Sequence, residues 1–165
     1  MAKTYSETEV LTIAKGVMGA FMRQYRGLAP TETELQEKRG LIALEAGEAG
    51  NVPTLAFATD ILGQDLSAPI VAMRGSQPTT TAQIAAQYGQ ESIIDFLEER
   101  NIYLGGEGRG APASLARTYR HEALAGKIEA IAREQDAARS APQPQRPSLS
   151  AAAPRMALRT SNGHS

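Results

Sequence analysis

The chain has 165 residues, a formal net charge of −1 and no cysteine, which excludes disulfides and thiolate metal sites. Hydrophobic residues make up 42% and aromatic residues 5%, with no tryptophan, so alanine and aliphatic side chains must build the core. That composition favours helices over sheets. We expect a protein that is cytoplasmic at synthesis and has no membrane partner, because no stretch approaches the ~20 apolar residues of a membrane span.

The first helix is predicted from a capping box, Ser6-Glu7-Thr8-Glu9. The apolar residues that follow occupy half of a helical wheel as far as about Arg26. Gly16 and Gly19 lie on the polar side of this helix. They are either neutral surface glycines or points where a neighbouring helix comes close.

A second capping box, Thr31-Glu32-Thr33-Glu34, predicts a helix to about Glu48. Its apolar stripe consists of Leu35, Ile42, Ala46 and Ala49. A third helix is predicted to begin at Pro53 and to close at Gly63. For residues 70–73, a helical turn and a short strand both remain open.

Residues 78–104 are predicted to form two short helices that meet at Gly89. The second helix carries the densest apolar cluster in the chain. The predicted buried side of the pair is Ile84, Tyr88, Ile93, Phe96 and Leu97. The outward side of the second helix is acidic and consists of Glu91, Asp95, Glu98 and Glu99, which we call the acidic face.

This helix pair resembles the C-terminal DNA-binding region of phage antirepressors in the spacing of Ala85, Tyr88-Gly89, Phe96-Leu97 and Ile102. The resemblance implies a helix-turn-helix that contacts DNA. The turn here is shortened to Gly89 and Gln90, whereas the motif has three or four residues. Carboxylates on the second helix would also be repelled by phosphate. We therefore keep DNA binding as the alternative function.

The C-terminal part begins with a glycine-rich loop, residues 105–110, followed by a long helix predicted over residues 112–139. From residue 140 the composition changes to proline, alanine and arginine, with no acidic residue. Such a segment cannot bury a core and is expected to be extended, with a reach of ~80 Å. We call residues 140–165 the arm. The predicted architecture is all-α: a compact helical bundle over residues 1–111, the long helix, and this extended Pro/Ala-rich arm.

Charge and apolar spacing suggest how the arm is used. Residues 1–111 carry five more acidic than basic side chains, and residues 112–165 carry four more basic than acidic. Either the arm has no fixed partner, or it docks on a neighbouring copy, with the acidic face as its receptor. The candidate docking residues are Arg146, Leu149, Arg155, Met156, Leu158 and Arg159.

Catalytic and cofactor signatures are missing from the sequence. The glycine-rich loop lacks the Gly-Lys-Ser/Thr of a phosphate loop, and too little chain follows it for a dinucleotide fold. His121 and His164 have no metal-ligand spacing. We predict no enzyme, no metal and no cofactor.

The layout predicts an assembly protein. A helical body with an extended C-terminal segment resembles, in plan only, the small head-to-tail adaptor proteins of tailed phages. The resemblance implies a non-enzymatic subunit of a homo-oligomeric ring or particle that contacts other structural proteins and is incorporated into a virion. No residue-level motif accompanies it, so no functional residue is transferred.

Overall fold

The computed structural model describes residues 6–21, 30–72 and 74–142. Within them the chain forms seven helices, and the predicted all-α class is confirmed. The helices are α1 (Glu7–Phe21), α2 (Glu32–Ala49), α3 (Val52–Asp60), α4 (Thr81–Tyr88), α5 (Glu91–Glu99), α6 (Pro112–Thr118) and α7 (Glu122–Ser140). The predicted end of the first helix at Arg26 lies outside the described residues.

Capping boxes begin the helices as the sequence predicts. The Glu9 N–H donates to the Ser6 hydroxyl at 3.2 Å, and a Glu9 carboxylate oxygen accepts from the Ser6 N–H at 2.8 Å. Thr31 makes the same reciprocal pair with Glu34. A third box, between Thr80 and Gln83, opens α4 and was not predicted.

Six of the helices form three antiparallel hairpins: α2–α3, α4–α5 and α6–α7. Each hairpin turns through one residue in the left-handed region, followed by one residue whose N–H returns to the first helix. The left-handed residues are Gly50 (φ 71°), Gly89 (φ 70°) and Arg120 (φ 67°). The returning bonds are Asn51 to Ala46 at 2.9 Å, Gln90 to Ala85 at 2.9 Å, and His121 to Ala116 at 2.7 Å.

Buried positions recur with the same spacing as the turns. Gly89 lies 39 residues after Gly50, and Arg120 lies 31 residues after Gly89. These intervals also relate the three buried alanines Ala46, Ala85 and Ala116, and the buried residues Ala58, Leu97 and Ile128. The three hairpins are therefore equivalent units, and the longer first interval is taken up by the loop between α3 and α4.

The hairpins stack in chain order. Helix α2 packs on α4 and α4 on α6, while α3 packs on α5 and α5 on α7. A hydrogen bond recurs between neighbours: the Gln90 side-chain amide donates to the Glu48 carbonyl at 2.7 Å, and the His121 ring Nε2 lies 3.2 Å from the Gln87 carbonyl. Glu48 and Gln87 are equivalent positions, as are Gln90 and His121. The stack thus repeats one contact as well as one unit.

Helix α1 covers the start of the stack by packing on α2 and α3, with Ile13 and Val17 buried. A Cβ at Gly16 would collide with the Thr54 hydroxyl and lie 2.8 Å from the Asn51 side-chain nitrogen. Of the two alternatives for Gly16, close approach by a neighbouring helix is therefore the one observed.

The prediction of a single helix over residues 112–139 is wrong in one respect. A long C-terminal helix exists, but it begins at Glu122, and the chain turns through residues 119–121 after the shorter α6. The turn has a physical reason. Leu115 lies on a different helical face from Leu124, Ile128 and Ile131, and the turn lets both faces pack on the core.

Three local predictions also need correction. Tyr88 is 45% exposed rather than buried, because its hydroxyl reaches Glu48 of α2, with which it makes a hydrogen bond. Ala49 is exposed, and Gly47 is buried in its place because α4 approaches there, with Ile84 2.8 Å from the site of a Cβ. Residues 70–72 form neither a helix nor a strand: Ile70 makes one antiparallel bridge with Thr79.

Candidate interaction surfaces

The acidic face is partly satisfied within the chain. Lys127 of α7 places its Nζ 2.7 Å from a Glu91 oxygen and 2.5 Å from an Asp95 oxygen. The hydrogen bonds that Lys127 donates to these carboxylates, the one to Asp95 first, raise the pKa of Lys127. Half of the predicted acidic face therefore joins the second hairpin to the third.

Glu98 and Glu99 are the part of the acidic face that stays available. Glu99 is exposed and Glu98 half-buried, and Glu99 interacts electrostatically with Arg100. The neighbouring Arg100 is held elsewhere, 2.6 Å from Asp60 and with its guanidinium 4.7 Å from the centre of the Phe96 ring. Of the acidic face, Glu98 and Glu99 are therefore the candidates for docking a basic segment.

The predicted docking residues of the arm lie outside the described residues. These are Arg146, Leu149, Arg155, Met156, Leu158 and Arg159. Their proposed contact with the acidic face therefore stays a prediction.

The α4–α5 pair has the short turn expected from the sequence, with only Gly89 and Gln90 between the two helices. Helix α5 buries Ile93, Ile94 and Leu97 completely. On its outward side, Glu91 and Asp95 are tied to α7 through Lys127. A helix that enters a DNA groove needs a free outward side, so this packing does not favour a recognition role for α5.

An open groove of about 510 Å³ lies on the third hairpin. It lies between the glycine-rich loop, the start of α6 and one side of α7. Its apolar floor includes Leu104, Ala113, Ile128 and Ala132, and its charged rim includes Glu107, Glu129, Arg133 and Asp136.

Side-chain contacts hold one wall of this groove in place. The Tyr103 hydroxyl donates to Asp136 at 2.8 Å, and the Arg139 guanidinium stacks 3.8 Å from the centre of the Tyr103 ring. Gln135 accepts from the Leu104 N–H at 2.9 Å and donates to the Ile102 carbonyl at 2.8 Å. The hydrogen bond to Asp136 raises the pKa of Tyr103. The chain leaving α5 is thus fixed to α7 before the glycine-rich loop begins.

The other wall is fixed by an ion pair between α6 and α7. Arg117 lies 2.5 Å from Glu129, and this hydrogen bond lowers the pKa of Glu129. The other charged side chains that line the groove are Glu107, Arg133 and Asp136, the last of which accepts from Tyr103.

A second, smaller groove of about 330 Å³ lies across the glycine-rich loop, at the N-terminal ends of α4 and α6. The Gln83 side chain spans it by donating to the Gly110 carbonyl at 2.9 Å. The two grooves share Tyr103, Gly105 and Glu107. The loop therefore separates a groove between hairpins from a groove at the end of the stack.

Two exposed tyrosines occupy equivalent positions on the opposite side of the hairpins. Tyr88 is 45% and Tyr119 49% exposed, and the two lie close enough to interact electrostatically. The charge of Glu48, followed by a hydrogen bond to it, raises the pKa of Tyr88. Amphipathic aromatic side chains of this kind are enriched at protein interfaces.

Within the described ranges, no group of three or more histidine, aspartate or glutamate side chains is placed to hold a metal ion. His121 contacts the Gln87 carbonyl and so has a packing role. Across the same ranges, no helix is long and apolar enough to span a bilayer.

The chain matches no protein-family model, no curated protein and no solved structure.

Sequence reasoning missed the repeat that organises these surfaces. The repeat is visible in the sequence at three positions only. Ala85, Tyr88 and Glu91 have the same spacing as Ala116, Tyr119 and Glu122. The first hairpin shares only the alanine of this triplet, and the left-handed glycine of the first two turns is an arginine in the third. A comparison of the chain with itself at an offset of 31 residues would have found the last two units.

Proposed function

We propose that the protein is a non-enzymatic assembly protein whose stacked helical hairpins bind other protein chains. The observation that carries the proposal is the repeated unit, with its recurring bond from Gln90 to Glu48 and from His121 to Gln87. A stack of this kind presents a continuous surface along its length instead of one enclosed pocket. Such a surface suits a protein chain better than a small substrate.

The size of the unit supports the same function. Two antiparallel helices and a loop in about 33 residues is the plan of ankyrin-type repeats, which stack into extended binding surfaces. The present hairpins are similar to that plan in helix order and in the spacing of the last two units. We infer that the partner surface runs along the loops and the N-terminal ends of α4 and α6, where the smaller groove lies.

The partners that we propose are further copies of this chain and other structural proteins. A head-to-tail adaptor of a phage particle is one assembly of this kind, and it is proposed here on layout alone. DNA binding remains the less favoured alternative, because the outward side of α5 carries carboxylates, which phosphate repels, and Lys127 ties two of them to α7.

Light scattering of the full chain tests the self-association that we propose. A discrete mass of two or more chains is expected, and a single-chain mass at every concentration would overturn the homo-oligomer.

If the acidic face takes part, reversal of both Glu98 and Glu99 to lysine weakens association at low salt. The matched control reverses Glu37 and Glu134, which are also exposed helix carboxylates. If both double variants weaken association equally, the cause is the change in net charge and not a contact with the acidic face.

A further inference from the structure

The end of the stack where the hairpins turn presents a row of equivalent exposed positions. These are Ala49, Tyr88 and Tyr119, each at the end of the first helix of its hairpin. Tyr88 and Tyr119 are two of the four large apolar side chains that are exposed in the described part of the chain. The other two, Ile61 and Val71, lie toward the opposite end of the hairpins, where α3 ends and the loop to α4 runs. The turn end therefore carries two exposed aromatic rings in neighbouring hairpins.

Charges of opposite sign flank these tyrosines. Glu48 of the first hairpin is exposed and accepts a hydrogen bond from the Tyr88 hydroxyl. Arg120 of the third hairpin is exposed and directly follows Tyr119. Neighbouring helices pack about 10 Å apart, so the backbones of Glu48 and Arg120 lie about 20 Å apart along the stack. We call Glu48, Tyr88, Tyr119 and Arg120 the tyrosine patch, which is negative at one end and positive at the other.

We propose that the tyrosine patch pairs with the tyrosine patch of a second copy of this chain about a two-fold axis. A half-turn about an axis midway between Glu48 and Arg120 places each of these residues opposite the other one in the second copy. Opposite charges then meet at both ends of the interface, and the tyrosine rings of the two copies pack between them. The inference rests on the proposed function and deepens it, because it assigns self-association to one surface and one symmetry.

The charges of the patch favour a second copy over a partner of a single charge. An acidic partner would face Glu48 and a basic partner would face Arg120, and like charges brought together across an interface cost affinity. A second copy brings the same two charges in the reverse order, so it meets neither repulsion.

The hydrogen bond between Tyr88 and Glu48 prepares the patch for burial. It satisfies the Tyr88 hydroxyl within the chain, so covering the ring leaves no unpaired hydroxyl. It also restricts the ring before association, which lowers the entropy lost on binding. A carboxylate accepts several hydrogen bonds, so Glu48 keeps capacity for a guanidinium from the second copy.

An exchange of charge between two variants tests this pairing in the full chain. Glu48→Lys alone and Arg120→Glu alone should each weaken self-association by about tenfold or more at low salt, because each places like charges at both ends of the interface. An equimolar mixture of the two variants should recover association to within about threefold of the native protein. In the mixed pair the introduced lysine meets the introduced glutamate at one end, and a native glutamate meets a native arginine at the other. Sedimentation equilibrium measures the Kd and the mass of each sample.

The matched controls are Glu37→Lys and Arg74→Glu, which make the same changes in net charge at exposed positions outside the patch. Alone and mixed, they should associate like the native protein. Tyr119→Ser should also weaken association by about tenfold, whereas Ile61→Ser, at a similarly exposed position, should not. Urea denaturation of every variant checks that it is folded.

Four results would overturn the pairing. Failure of the mixture to recover association would separate Glu48 from Arg120 of the second copy. Equal weakening by the control variants would assign the effect to net charge. Recovered masses above two chains would mean an open head-to-tail contact instead of a two-fold axis. Association that no patch variant changes would move the interface elsewhere and leave the proposed function standing, whereas a native protein that is a single chain at every concentration would overturn self-association itself.

Discussion

At the scale of single residues, the turns of the three hairpins carry most of the repeat. Gly50 and Gly89 take the left-handed backbone without cost, whereas Arg120 adopts φ 67° with a side chain attached. In the second hairpin the glycine is also required by space, since a Cβ at Gly89 would lie 2.6 Å from the His121 ring.

Arg120→Gly should stabilise the protein. Relief of the left-handed conformation is worth about 1 kcal/mol, and Arg120 makes no described side-chain contact that would be lost. Urea denaturation measures the change. Asn101→Gly serves as the control, because asparagine tolerates its φ of 56° and should gain less. An Arg120→Gly protein that is less stable than the native one would refute the equivalence of the turns.

His121 and Gln90 make equivalent contacts, which predicts a specific rescue. His121→Ala should lower the free energy of unfolding by about 1 kcal/mol, because the bond to the Gln87 carbonyl is lost. His121→Gln should recover at least half of that loss, since Gln90 makes the same bond with an amide. Thermal or urea unfolding of the two variants measures these changes. Equal losses of unfolding free energy would mean that packing of the His121 ring, and not its hydrogen bond, stabilises the turn.

At the scale of elements, contact between α1 and α3 depends on Gly16. Gly16→Ala gains helix propensity but forces a Cβ against the Thr54 hydroxyl, so we expect a net loss of stability. Gly126→Ala in α7 is the matched control, because nothing lies within 4 Å of its site, and it should stabilise by about 1 kcal/mol. Stabilisation of similar size in both variants, measured by urea denaturation, would show that α1 does not pack closely on α3.

The ion pair between α6 and α7 gives a pH dependence. Because Arg117 lowers the pKa of Glu129, the stabilising contribution is fully present above the ordinary glutamate pKa of about 4.3. It is lost as the pH falls through the lowered pKa of the folded state. The difference in unfolding midpoint between the native protein and Glu129→Gln should therefore shrink below about pH 4. A difference that does not change with pH would assign the effect to packing.

Element boundaries were predictable where a residue type enforces them. Ser6 and Thr31 in capping boxes, and Gly50, Gly63 and Gly89 after helices, all act through local hydrogen bonds or positive φ that the sequence makes visible. The turn at residues 119–121 was missed because arginine, not glycine, takes the left-handed position. Its stability comes from packing on both sides, which a local pattern does not contain.

At the scale of the whole molecule, sequence patterns placed the apolar faces but not the partners of the charged ones. Glu91 and Asp95 were predicted as outward carboxylates, and they are outward from α5. Lys127 reaches them only because the third hairpin stacks on the second. Likewise, Tyr88 lies on an apolar stripe of α4 but is exposed, and its hydroxyl is hydrogen-bonded to Glu48 of α2. Both outcomes depend on long-range stacking.

Three equivalent hairpins stack in chain order in this protein. This arrangement is tested by spin labels at Ala49→Cys and Tyr119→Cys, equivalent exposed positions in the first and third hairpins of a chain without native cysteine. Neighbouring helices pack about 10 Å apart, so pulsed electron spin resonance should give one narrow distance distribution near 20 Å. A mean distance beyond about 30 Å, or a broad distribution, would contradict the stack.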